Sequence, residues 1–289
     1  MTKVNLCMLG CGAIARIHAR VARTLKSRAN LLFASRTLET AREYNRRFGG
    51  LGAFGSYEEA CRATDVDAVF ICTPHVYHLE NVRLAAEHGK HVIVEKPATV
   101  TLEELDTMIA VTDGARIKAM VAENYRFKPL LRVLRRHIDA DDIGTPAIIE
   151  INRSHRSNPT GWRADASMMG GGALLEGGVH WVNLLCELGG EPTHVAAAEP
   201  TVAYDRVTPF EDSIEAIAKF AGGAVGKLLH TWRFPTRLAG PLGLSRIFGT
   251  AGTITFESNG IFVLVRGKRT RLRIPGIFDI MGYRAMLRH

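Results

Sequence analysis

"VNLCMLGCGAIA", residues 4–15, sets a short apolar run directly before Gly10-Cys11-Gly12-Ala13-Ile14-Ala15. The run suits a strand buried on both faces. The loop has the GxGxxA pattern: Gly10 for the tight turn, Gly12 for close approach of a pyrophosphate, Ala15 to keep the next helix near the sheet. At Ala13 and Ile14 that helix opens, offering unpaired N–H groups and the positive end of its dipole to an anion. Small residues also occur in ordinary βα turns. A position between strand and helix near the amino terminus makes this one a nucleotide-binding signal.

Outward from this loop the alternation continues. Compact apolar runs at 31–35, 67–73, 91–95 and 118–123 read as strands, with helix-length segments at 13–27, 38–48, 77–88 and 101–113. That order predicts an α/β domain, a doubly wound parallel Rossmann sheet with right-handed crossovers, over residues 1–123. Residues 124–289 read differently. Strand-like runs at 146–155, 214–221, 224–234 and 253–258 sit between glycine turns, and only one obvious long helix interrupts them. A chain of 289 residues is in any case too long for the commonest single core.

Composition narrows the partners. Hydrophobic residues are 46% and charged residues 23%, as in ordinary globular proteins. No window approaches ~18 uncharged apolar residues, so neither a membrane span nor a signal peptide is expected. Five scattered cysteines without a CxxC pair favour free thiols in a reducing, cytoplasmic compartment over disulfides or a metal site. The net charge of +8 is spread along the chain, and "LLRVLRRHI" at 130–138 reads as a solvated basic helix face. No nucleic-acid partner is expected; a small anionic ligand explains the charge equally well.

The end of the second strand bears on the cofactor. An acid there usually holds the ribose 2′-OH of NAD, and this chain has Ser35-Arg36-Thr37 instead. Arg36 offers a planar fork to a 2′-phosphate, with the two hydroxyls beside it. The expectation is NADP. NAD is the alternative, with Arg36 then a plain surface residue.

In "GGGALLEGGVHWVNLLCELGG", residues 170–190, Glu176, His180, Asn183 and Glu187 share one face of a helix. A solvated polar stripe is the commonplace explanation. Two features oppose it: the stripe carries no lysine or arginine, and Gly177 and Gly178 each cost ~1 kcal/mol relative to alanine inside a helix. Such glycines suit a backbone that another molecule must approach.

The stretch 67–105 resembles the core signature of the Gfo/Idh/MocA oxidoreductase family. Thr73-Pro74-His75-Val76-Tyr77-His78 stands for its TPN-x-x-H run, followed by Gly89-Lys90-His91-Val92 and Glu95-Lys96-Pro97. "ENYRFKP" (123–129), "GGGALLEGGVH" (170–180) and "EDSIEAIAKFAGGAVGKL" (211–228) also look like family motifs. The resemblance implies a carboxyl-terminal α+β domain with a large, mostly antiparallel sheet that binds substrate and commonly makes homo-oligomers. It places Thr73, Pro74, His75, His78, Glu95 and Lys96 at the cofactor, and it makes Pro97 a candidate for a cis bond. Lys96 would hydrogen-bond the substrate oxygen and help relay its proton.

His180 takes the position of the family's histidine, a natural general base. Glu176, the third catalytic candidate beside Lys96 and His180, would orient His180 or bind a hydroxyl, while Asn183 can only hydrogen-bond. Both stand where aspartates are usual, which puts the substrate class in question more than the reaction. Tyr125, Arg126, Trp162 and Arg163 are further candidates for substrate contact. The expected activity is NADP-dependent interconversion of a secondary alcohol and a ketone on a sugar, cyclitol or related polyol. A non-catalytic NADP-binding regulator and a retained-cofactor glycosidase are the alternatives. Family members continue past the position of His289 in helical sequence, so the resemblance also implies a carboxyl end shortened by truncation or by nature.

Overall fold

A computed structural model describes residues 2–202, 209–233 and 243–289. The alternation of the first half folds as strands β1 (Val4–Leu9), β2 (Ala29–Ala34), β3 (Gly52–Phe54), β4 (Ala68–Ile71), β5 (His91–Val94) and β6 (Ala119–Val121). Between them run helices α1 (Ala13–Ala22), α2 (Leu38–Phe48), α3 (Tyr57–Arg62), α4 (His78–Glu87) and α5 (Leu102–Gly114). The strands pair in parallel in the order β3-β2-β1-β4-β5-β6, so the winding reverses between β1 and β4. Ligands of such sheets bind at the carboxyl ends of the strands beside that reversal.

Local chemistry explains the elements. Cys7, Leu9, Leu32, Val69, Ile71, Val92 and Val94 bury their side chains in one core, at roughly 1.5–3 kcal/mol for each large aliphatic. Ser56 and Thr101 cap α3 and α5, accepting the amides of Glu59 and Glu104. The helix expected over 13–27 ends at Ala22 and tightens into a 3-10 turn, Arg23–Leu25. β3 and α3, three and six residues long, have no anticipated counterpart. They are too short for a hydrophobic period to show.

The second half holds α6 (Pro129–Asp139), β7 (Pro146–Ser154), the one-turn α7 (Ala166–Met169), α8 (Val179–Gly189) and β8 (Pro192–Ala198). It continues with β9 (Ser213–Phe220), β10 (Val225–Thr231), β11 (Leu244–Gly249), β12 (Gly252–Glu257), β13 (Val263–Arg266), β14 (Thr270–Arg273) and α9 (Tyr283–Arg288). These eight strands form one sheet in the order β14-β13-β12-β11-β7-β10-β9-β8. All neighbours are antiparallel except β7 and β10. The strand expected over 224–234 is observed as β10, and residue 234 lies outside the described residues.

One core joins α6 and α8 to the sheet: Leu130, Leu131 and Leu134, then Trp181, Leu184 and Leu185, packed with Ile149, Ile151, Leu228, Ile247 and Phe256. The basic face of α6 lies in solvent at Arg132, Arg135 and Arg136.

The chain divides into two compact units. One is Met1–Glu123 with Ser167–Gly170 and Leu287–His289; the other is Asn124–Ala166 with Gly171–Met286. No helix among the described residues is long and apolar enough to cross a membrane. The five cysteines are free thiols.

Candidate active site

In the nucleotide-binding unit, Gly10 turns the chain at φ +97°, and an added Cβ would strike the Cys72 carbonyl at 3.0 Å. Gly12 caps α1 without a side-chain hydrogen bond, and the first turn carries no acid. Its amides and dipole are therefore not offset by any acid in the helix's own first turn. A Cβ at Gly12 would meet nothing within 4 Å, so the backbone there faces open space. Ala13 is exposed, Ile14 half-buried and Ala15 fully buried against the sheet. The Tyr44 hydroxyl donates to the Gly12 carbonyl at 3.0 Å and steadies the loop from α2.

At the end of β2, Ser35 is half-buried while Arg36 and Thr37 are exposed. Arg36 borders a cleft of about 610 Å³ with Ser56, Tyr57, Asn81, Arg83 and Leu84. Burial pushes the Tyr57 phenol up, and the neighbouring Arg36 guanidinium opposes it.

The strand ends carrying Thr73 and Lys96 are tied together by a residue expected at the cofactor. His78 is fully buried. Its Nδ1 lies 2.8 Å from the Pro97 carbonyl and its Nε2 3.0 Å from the Thr73 carbonyl. It therefore holds two loops in place and presents no ring atom to a ligand. His75 is also buried, with Nδ1 at 2.9 Å from the Met169 carbonyl, and Pro74 is half-buried. Thr73 Oγ1 accepts from Asn81 Nδ2 at 3.3 Å.

Glu95, also expected at the cofactor, is buried and held by protein partners. Its Oε1 sits 2.5 Å from His18 Nε2, on α1, and its Oε2 accepts the Lys96 amide at 3.0 Å. Burial pushes this carboxyl up, but the His18 hydrogen bond and charge, with Lys96 beside them, outweigh it and hold the pKa below the usual value. Lys96 itself is half-buried and the Lys96–Pro97 peptide is cis. His18 was not anticipated. It follows the glycine loop at helical spacing, and its partner lies 77 positions away.

The glycine-rich segment of the second unit departs from a simple helix. Leu174–Gly178 is a π-helical turn leading into α8, an element often found at functional sites. The preceding glycines serve close packing. A Cβ at Gly172 would overlap the Glu211 carboxylate and carbonyl. Glu211 in turn accepts the amides of Ala173 (2.9 Å) and Leu174 (3.0 Å). The expectation that Gly177 and Gly178 admit another molecule is corrected. A Cβ at Gly177 would lie 3.5 Å from His230 Nε2 and Trp232 Nε1, and one at Gly178 would lie 3.2 Å from His230 Cδ2. The chain's own aromatic residues make the close approach.

The polar stripe is held by protein groups. Arg163 Nε donates to Glu176 Oε1 at 2.8 Å, and its guanidinium lies 4.5 Å from the Trp162 ring centre. His180 stacks on Tyr125, with centroids 4.1 Å apart and planes 11° from parallel. Tyr125 also meets Trp181 edge-on at 4.9 Å and carries Lys128 Nζ 4.0 Å from its ring centre. Glu187 pairs with Arg135 and, at 3.4 Å, with Arg126, whose side chain is largely exposed. Arg163 and Arg126, read from sequence as substrate contacts, are thus engaged by the carboxylates of Glu176 and Glu187.

Beneath the π-turn lies a polar group that sequence reasoning missed. β7 and β10 run in parallel with Arg153 opposite His230, and the rings of His155 and His230 are 6.0 Å apart. His230 is followed two residues on by Trp232, at 6.4 Å. Arg153 sits 5.6 Å over Trp181. The available signal was the period of two. Ile149 and Ile151 face the core before Arg153 and His155, and Leu228 precedes His230 and Trp232.

A doubly wound parallel sheet with a glycine loop at its winding reversal, followed by a unit in which a large mixed sheet carries a helix with a positioned histidine, defines a nucleotide-binding α/β protein of two units. Comparison with known proteins narrows the class. Residues 4–123 match the model for "Oxidoreductase family, NAD-binding Rossmann fold", and residues 131–255 match that for "GFO/IDH/MocA C-terminal domain". The chain belongs to the Gfo/Idh/MocA family of NAD(P)-dependent oxidoreductases.

Levoglucosan dehydrogenase of Pseudarthrobacter phenanthrenivorans is 26% identical over 291 residues, covering 89% of this chain and 74% of that protein. The rhizopine catabolism protein MocA of Rhizobium meliloti is 28% identical, covering 87% and 78%. The solved structure of levoglucosan dehydrogenase in complex with NADH and levoglucosan superposes with a TM-score of 0.86 at 25% identity, over 99% of this chain and 88% of that one.

Proposed function

We propose that this protein is an NADP-dependent oxidoreductase acting on a secondary alcohol or ketone of a sugar, cyclitol or related polyol. The residues present suit the cofactor. The open backbone at Gly12 and the uncapped start of α1 fit a pyrophosphate. Arg36, with no acid beside it in Ser35-Arg36-Thr37, fits a 2′-phosphate. Thr73, Pro74 and His75 line the way toward the nicotinamide end. Bound there, the nicotinamide supplies the acceptor or donor of a hydride.

The proposed roles of the chain's own groups follow from their settings. Lys96 donates a hydrogen bond to the substrate oxygen and draws off charge as the alcohol loses its proton. Glu95 and His18 position Lys96 through its amide. His180 takes the hydroxyl proton. The observation that carries the reading is its stacking on Tyr125, which fixes the plane of the imidazole and so the direction of its edge nitrogens. Glu176, neutralised by Arg163, and Asn183 offer hydrogen bonds to further hydroxyls.

Turnover of a polyol and keto-sugar panel with NADP+ or NADPH tests the assignment. His180→Ala and Lys96→Ala are expected to lose ~10²–10⁴-fold in kcat with NADPH binding retained; unchanged turnover in both rejects it. For the cofactor, NADPH should bind more tightly than NADH, and Arg36→Ala should remove most of the difference. The related dehydrogenase solved with NADH makes this comparison decisive. Supporting a homo-oligomer, the sheet face away from α6 and α8 exposes Ile148, Ile217, Val225 and Leu244.

A further inference from the structure

Several buried polar atoms under the π-turn have no hydrogen-bond partner among the described residues: Arg153 Nη1, His155 Nδ1 and both ring nitrogens of His230, which is only 1% exposed. Leaving such a group buried and unsatisfied is unfavourable, most of all where it is charged. Native proteins keep only a few such atoms per hundred residues, scattered. Here they stand together. Arg153 and His230 are register partners on adjacent strands, and His155 is 6.0 Å from His230. Gly177 and Gly178 pack directly over the His230 ring.

The charges point to the kind of ligand. Glu176 is paired with Arg163. Asn183 is neutral where the family resemblance would place an aspartate. Arg153 has no carboxylate partner among the described residues; its guanidinium rests over Trp181. Burial first, then the charge of Arg153, pushes His155 down to about 4 against the opposing charge of Glu176. Burial, then the charges of His155, Arg153 and His180, pushes His230 down to about 3, again opposed by Glu176. Both rings are thus neutral near pH 7, and each can still donate one hydrogen bond. A neutral sugar would satisfy donors and acceptors but leave the Arg153 charge uncompensated. An oxyanion does both.

We propose that Arg153, His155 and His230 form a subsite for an oxyanion carried by the ligand, a carboxylate or phosphate borne on a sugar or polyol. Calling that ligand the substrate rests on the function proposed above; the subsite itself does not.

The test is calorimetric titration of gluconate, glucose 6-phosphate and glucose into the 289-residue protein loaded with NADP+. At least one anion is expected to bind about tenfold or more tightly than glucose, and Arg153→Gln should abolish the preference. The gluconate and phosphate arms tell carboxylate from phosphate. If Arg153→Gln melts below the assay temperature, His230→Asn replaces it with the same expectation. Equal binding of glucose, a preference that survives the substitution, or no binding of any of the three overturns the subsite. Anion binding through Arg153 without turnover of any polyol would instead reject the oxidoreductase reading and leave the subsite standing.

Discussion

At the scale of single residues, the pair His18–Glu95 shows how a buried charge is kept. Its carboxylate lies deep in the protein, answered by an imidazole and by the amide of Lys96. Removing one partner of such a pair typically costs ~3–5 kcal/mol because the other charge stays buried. His18→Ala is expected to lower the urea midpoint by a loss of that order, with kcat falling more than NADPH affinity, since Lys96 is what Glu95 positions. The histidines under the π-turn act in the opposite sense. Their folded pKa values, about 4 for His155 and about 3 for His230, lie below the ordinary histidine value. The unfolded chain therefore binds more protons between pH ~6.5 and those values, and stability falls as pH drops through that window. Glu95, held below its ordinary value, adds a further loss only under more acidic conditions. Melting temperature measured from pH 7 to pH 4 should decline from about pH 6.5, and His230→Leu should flatten that decline.

Elements show which glycines matter and why. Sequence alone treats the run at 170–178 as uniform, but the neighbours differ at each position. Gly172 faces Glu211 so closely that a methyl group must displace it, breaking the contacts that hold the start of the π-turn. Gly177 faces His230 and Trp232 at ordinary contact distance. Gly172→Ala should destabilise by ~1–3 kcal/mol through overpacking, whereas Gly177→Ala should change the urea midpoint little, since alanine's better helix propensity offsets the tighter fit. Equal effects would refute this division. The same contrast explains what was legible. Strong periods revealed α2 to the residue and β1, β2, β5, β7 and β9 within two residues at each end. β8, β11, β13 and β14 escaped: β8 is almost wholly exposed, β11 alternates over only six residues, and the other two are four residues long.

For the whole molecule, the second sheet has one face covered by α6 and α8 and another that mixes apolar residues with charged pairs. Ile217 is 52% exposed and sits opposite Lys227, which bridges to Glu215 at 2.8 Å. We expect this face to carry self-association: light scattering after size exclusion should show an oligomer, and Ile217→Glu should reduce it to monomer. A wild-type monomer at micromolar concentration would end that expectation.

What the sequence determined by itself is whatever local pattern can encode. The GxGxxA turn, the strand and helix order, the absent acid after β2 and the family motifs all lie within windows of a few residues, where period and turn chemistry act directly. Only the tertiary structure decided which distant residues meet. Glu95 and His78 are held inside the protein by partners 77 and 19 residues away, which no local window shows. Arg153 and His230 became neighbours through the register of two parallel strands separated by 77 positions, as the pairing of Val225 with Ile148 requires. Strand pairing is non-local, and a one-residue slip of β10 would turn His230 to the face opposite Arg153.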